Sequence, residues 1–95
     1  MPVTVTTHLP GATPEMYEQI NRELGMSEHE LPDGLIAHYA SQTDDGLRIF
    51  DVWESREQFE ELLARIGPAM EKVAGGQAPQ VEPEFGRLQN VFARK

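Results

Sequence analysis

The sequence predicts an α+β fold in which a four-stranded antiparallel sheet carries two helices on one face. Three observations predict it. Segments of period two and of period 3.6 succeed one another as strand, helix, strand, strand, helix, strand. A short Thr-Asp-Asp-Gly turn joins the two middle strands as a hairpin. Each helix opens on a local capping signal.

Val3 to Leu9, "VTVTTHL", sets Val3, Val5, Thr7 and Leu9 against Thr4, Thr6 and His8, the pattern of a half-buried strand rich in β-branched residues. Thr13 then caps a helix, Pro14 suits its first position and Glu15 favours the positive end of its dipole. Tyr17, Ile20 and Leu24 form its apolar stripe, and Gly25 stops it. "MSEHELPDG" is a polar connector ending in a turn signal. Leu35–Gln42 is the second strand and "LRIFDVW" the third. Ser55 and Gln58 make a capping box for a second helix, whose stripe is Phe59, Leu62, Leu63 and Ile66. Gly67-Pro68 is expected to end or kink this helix, with Met70 and Val73 continuing its apolar face as far as Gly75-Gly76. "QAPQVEPE" reads as a loop and "FGRLQNVFARK" as the last strand. The order is the βαββαβ pattern of a ferredoxin-like sandwich, expected here as one domain over residues 1–95.

Composition narrows the function. A net charge of −8 with 8 scattered Lys and Arg argues against nucleic acid, since phosphate contacts need clustered cations. No apolar run approaches the ~20 residues of a membrane span. The N-terminus "MPVTVTTH" lacks the basic flank and apolar core of a signal peptide, so a soluble cytoplasmic protein is expected. With no cysteine there is no disulfide framework and no thiolate nucleophile or metal ligand.

The hairpin also predicts a register. With Thr43 and Gly46 flanking Asp44-Asp45, Ala40 opposes Ile49, His38 opposes Asp51 and Ile36 opposes Trp53. One face then carries Leu35, Ala37, Tyr39, Phe50 and Val52, and is expected to lie under the helices. The other carries Ile36, His38, Ala40, Ile49, Asp51 and Trp53, with Thr4, Thr6 and His8 beside them. That second face is too apolar for open water, and a second copy of the sheet is its economical cover. In the last strand, Leu88 and Phe92 are expected beneath the helices, with Arg87, Gln89 and Val91 on the open side.

The run "DVWES" leading into "REQFEELLARIGPAM", with the strand order and chain length, resembles the dimeric α/β-barrel superfamily. Within it the chain is most similar to the antibiotic-biosynthesis-monooxygenase-like proteins. The resemblance implies a face-to-face homodimer with a pocket in each protomer. The superfamily spans cofactor-free quinone-forming monooxygenases, haem-degrading enzymes, polyketide cyclases and proteins without known activity. Quinone-forming members bind a phenolic substrate with a Trp and polar residues, and Trp53 is placed to supply that aromatic. The polar partner four residues earlier is here Ile49, a departure from the pattern. Haem-degrading members need a late axial His, whereas every His here precedes Asp51. The resemblance thus implies no bound cofactor and a small aromatic ligand.

His38 with Asp51 is the sharpest chemical pair: a carboxylate opposite an imidazole fixes its tautomer, which suits a general base. Such a base serves a cofactor-free oxygenation or a cyclisation. A purely structural hydrogen bond accounts for the same pair. Trp53, His8, Tyr39 and Phe59 are candidate substrate contacts, with Trp53 equally suited to fill a core. A two-His-one-carboxylate metal set from His8, His38 and Asp51 is the weaker alternative, and no metal is expected. The function expected is a small pocket enzyme, cofactor-independent monooxygenase or polyketide-cyclase-like, against a non-catalytic dimeric ligand-binding or structural module.

Overall fold

β1 (Val3–Pro10), α1 (Pro14–Leu24), β2 (Leu35–Thr43), β3 (Gly46–Trp53), α2 (Arg56–Val73) and β4 (Glu84–Arg87) follow one another along the chain. The computed structural model describes residues 2–27, 29–73 and 82–92. The strands form one antiparallel sheet in the order β2-β3-β1-β4. This is the predicted ferredoxin-like topology, with α1 and α2 packed against each other.

The caps form as the sequence implies. Thr13 accepts from the Met16 amide, and α1 ends at Gly25 in the left-handed region, where Gly25 and Met26 donate to Arg22 and Asn21. Ser55 accepts from the Gln58 amide and donates to its side-chain oxygen. Pro68, however, does not end α2: the helix runs on to Val73 and buries Met70. Ala69 and Met70 pack into the core beyond the proline, which offsets its missing N–H. The expected Gly75-Gly76 stop and most of the "QAPQVEPE" loop lie outside the described residues.

The hairpin register is as predicted for Thr43–Gly46, Ala40–Ile49 and His38–Asp51. At the turn, the Thr43 hydroxyl and the His8 imidazole both bond Asp45 and hold its carboxyl below the ordinary Asp range. A bulge between Leu35 and Ala37 then changes the far end, so Leu35 rather than Ile36 opposes Trp53. Leu35 is thereby buried and Ile36 exposed.

The two faces of the hairpin are the reverse of the sequence expectation. Leu47, Ile49, Asp51 and Trp53 are buried on the helix side with Val5 and Leu9. Tyr39 and Phe50, expected beneath the helices, are 59% and 39% exposed on the open face. Ala37 and Val52 pair on that same open face. The cause is the pairing of β3 with β1. Val3, Val5 and Leu9 do face the helices, and they oppose Trp53, Asp51 and Leu47. Alternation could not decide this, because β3 is apolar on both faces. His8 therefore lies opposite Arg48 on the open face, away from His38 and Asp51, and the three-ligand metal set does not converge.

β4 is shorter than expected. It puts Phe85 opposite Val5, where it meets Phe59 edge-on. Arg87 opposes Val3 and so shares the face of Phe85 rather than the open face expected for it. Leu88 is half-buried, its amide bonded to the Pro2 carbonyl. Phe92 is 93% exposed, not beneath a helix, because regular pairing ends at Arg87.

Candidate active site

Three elements aim polar side chains at one point under the helices. Asp51 lies in β3, a central strand, and Trp53 two residues on points to the same side, as strand periodicity requires. The Trp53 Nε1–H donates to Asp51 Oδ2 at 3.2 Å. His38, across the hairpin, brings Nδ1 to 2.6 Å from Asp51 Oδ1. From above, α1 lowers the Tyr17 hydroxyl onto His38 Nε2. The Tyr17 and His38 rings lie parallel within 2°, their centroids 5.9 Å apart.

The partners assign the protons. An indole N–H only donates, and an ionised carboxylate only accepts. With Asp51 as carboxylate and His38 as the neutral imidazole, His38 donates from Nδ1, Nε2 keeps its lone pair, and the Tyr17 hydroxyl donates to it. The chain Tyr17–His38–Asp51–Trp53 is therefore fully paired. Among the described residues no buried side-chain nitrogen or oxygen lacks a partner. Satisfying Asp51 in this way is what allows a carboxylate to sit in the core.

The network borders a cavity of about 380 Å³ between the sheet and both helices. Its walls are mainly apolar, with Leu9, Ile20, Ile49, Leu62 and Met70 prominent, and they include the exposed Pro10 and Gly11 of the β1–α1 turn. The polar lining is Thr7, Tyr17, Asn21, His38 and Asp51, and among the described residues no Lys or Arg contributes.

Of the residues singled out in the sequence, His38, Asp51 and Phe59 line this cavity. Trp53 does not: it is fully buried behind Asp51, edge-on to Phe59. Tyr39 and His8 lie on the open face, away from the cavity. Sequence reasoning missed Tyr17, which it placed in the apolar stripe of α1. The available signal was its hydroxyl, because a Tyr on a buried stripe needs a polar partner. Thr7 and Asn21 were missed for the same reason: both sit on faces otherwise occupied by core residues.

No protein-family model and no curated protein matches the sequence. Solved structures do. A Deinococcus radiodurans protein provisionally described as an antibiotic biosynthesis monooxygenase is 14% identical, covering 100% of this chain and 99% of that one, with a TM-score of 0.62. SnoaB, a cofactor-independent oxygenase from Streptomyces nogalater, is 14% identical over 98% and 97% of the two chains, at 0.60. The Streptomyces coelicolor monooxygenase from ActVA-Orf6, solved with Nanaomycin D, is 13% identical over 99% and 92%, at 0.58. The chain thus has the ferredoxin-like βαββαβ fold of the antibiotic-biosynthesis-monooxygenase-like proteins.

Proposed function

We propose that the chain is a pocket enzyme of the cofactor-independent oxygenase kind, acting on a neutral aromatic or polyketide-like molecule. The observation that carries this reading is the composition of the cavity: an apolar chamber whose polar cluster contains an imidazole oriented by a carboxylate. His38 is the general base and Asp51 its orienter. Trp53 acts through Asp51, and Phe59 is an aromatic wall.

The chemistry needs little more than a base in a dry place. Removing a proton from an electron-rich phenolic substrate leaves an anion that reacts with molecular oxygen. One oxygen atom becomes a quinone carbonyl and the other leaves as water, with the substrate supplying the electrons. An apolar chamber excludes bulk water from the anion, and the imidazolium–carboxylate pair answers its charge. The same features select the ligand. With no Lys or Arg among the described residues of the walls and Asp51 inside, a carboxylate or phosphate ligand finds no Lys or Arg counter-charge there.

A second copy completes this reading. Ile36, Tyr39 and Phe50 are exposed together on the open sheet face, and a matching sheet covers them in a homodimer. Oxygen uptake with a panel of hydroquinones tests the activity. Uptake is expected with the intact chain and is expected to fall about a hundredfold or more in His38→Ala with the fold retained. Equal uptake by both proteins overturns the assignment of His38.

A further inference from the structure

The ligand cannot reach His38 while the ring stays as it is, because both imidazole nitrogens are taken. Nδ1 faces Asp51 at 2.6 Å, and Nε2 holds the Tyr17 hydroxyl. A base whose lone pair is covered works only through the group that covers it. Tyr17 is that group, and it lines the cavity beside His38. Its hydroxyl suits a relay, because a phenol donates one hydrogen bond while its oxygen accepts another. The donated bond goes to Nε2, which leaves an acceptor lone pair for a ligand.

Tyr17 is also held firmly for this role. It sits on α1, between the Thr13 cap and the Gly25 terminus, and its ring lies parallel to the imidazole it serves, hydroxyl end on. It packs with Ile20 and Ile66 around the cluster of Leu9, Leu47, Ile49 and Met70. A phenylalanine would meet those packing demands equally well. The hydroxyl is therefore what packing leaves unexplained.

We propose that Tyr17 is the catalytic residue that meets the ligand's acidic hydroxyl and relays its proton to His38, an inference that rests on the pocket reading above. The ligand O–H bond breaks as its proton passes to the Tyr17 oxygen. The original Tyr17 O–H bond breaks as that proton passes to His38 Nε2. The outcome is an anionic ligand, a neutral Tyr17 donating to it, and an imidazolium against the Asp51 carboxylate. Charge is conserved, and no electron moves in this step.

The test uses 4-nitrophenol, whose ionised form absorbs in the visible, added to the full chain at a pH where the free probe is neutral. The intact protein is expected to bind it and show the phenolate band. Tyr17→Phe keeps the ring and the cavity walls, so binding persists while the bound phenolate falls about tenfold or more. His38→Gln is expected to lose the band to the same extent. Circular dichroism and thermal unfolding establish that each variant is folded. An independent measurement is the ¹⁵N spectrum of the His38 ring, in which Nε2 is expected to shift in Tyr17→Phe while Nδ1 stays protonated. A phenolate band retained in Tyr17→Phe but lost in His38→Gln overturns the relay and leaves His38 in direct contact with the ligand. Absence of probe binding by the intact protein overturns the pocket reading itself, and the relay with it.

Discussion

Asp51 is the residue on which the site turns, because it answers two donors at once. His38 and Trp53 each direct an N–H at one of its oxygens, and Trp53 has no solvent contact of its own. Asp51→Ala strands both donors in the interior and is expected to cost about 3 kcal/mol of stability, read from urea unfolding followed by far-ultraviolet circular dichroism. Asp51→Asn keeps the shape and an acceptor, so its loss is expected to be smaller. A variant Asp51→Ala as stable as the parent would show the network to be energetically idle. The His38–Asp51 pair was legible in the sequence because a two-residue turn fixes register over the few residues beside it. Tyr17 was not, since its contact spans from α1 to β2 and no local pattern encodes the angle at which a helix meets a sheet.

At the scale of elements, α2 carries the plainest conflict between local rule and observed structure. Pro68 offers no N–H to the carbonyl of Ala64, yet the helix continues to Val73. Its persistence reflects Ala69 and Met70, which are buried one in each of the two core clusters. Pro68→Ala restores the donor and is expected to stabilise the chain by about 2 kcal/mol, seen as a rise in thermal midpoint. An unchanged midpoint would mean that packing had already absorbed the whole cost. Caps and turns were legible because their chemistry is local: Thr13, Ser55 with Gln58, and Gly25 all act as their residue types imply. The bulge at Ile36 was not legible. Nothing near Leu35 or Ile36 announces which of two adjacent aliphatic residues will turn inward.

For the whole molecule, the question left by the sequence was which sheet face meets the helices. Both faces of β3 are apolar, so the answer waits on β1, which inserts between β3 and β4 with Val5 opposite Asp51. Only that long-range pairing decides that the polar pair is inward and that Tyr39 and Phe50 are outward. Their rings meet at 6.3 Å on the exposed face, beside Ile36. If a second sheet covers this patch, Phe50→Glu places a charge in the seam and is expected to turn a dimer into a monomer in sedimentation velocity. A monomeric parent protein would instead show the patch to be uncovered at the concentrations used.

The position of Trp53 has one more consequence. It is the only tryptophan, it is sealed from water, and its indole N–H ends the chain of bonds that begins at Tyr17 on the cavity wall. Its emission therefore belongs to a single chromophore in direct contact with the charge on Asp51. Any occupant that moves a proton along that chain alters the electric field at the indole. The molecule carries a built-in optical readout of its own cavity, with no label to attach and no solvent-exposed tryptophan to obscure the signal.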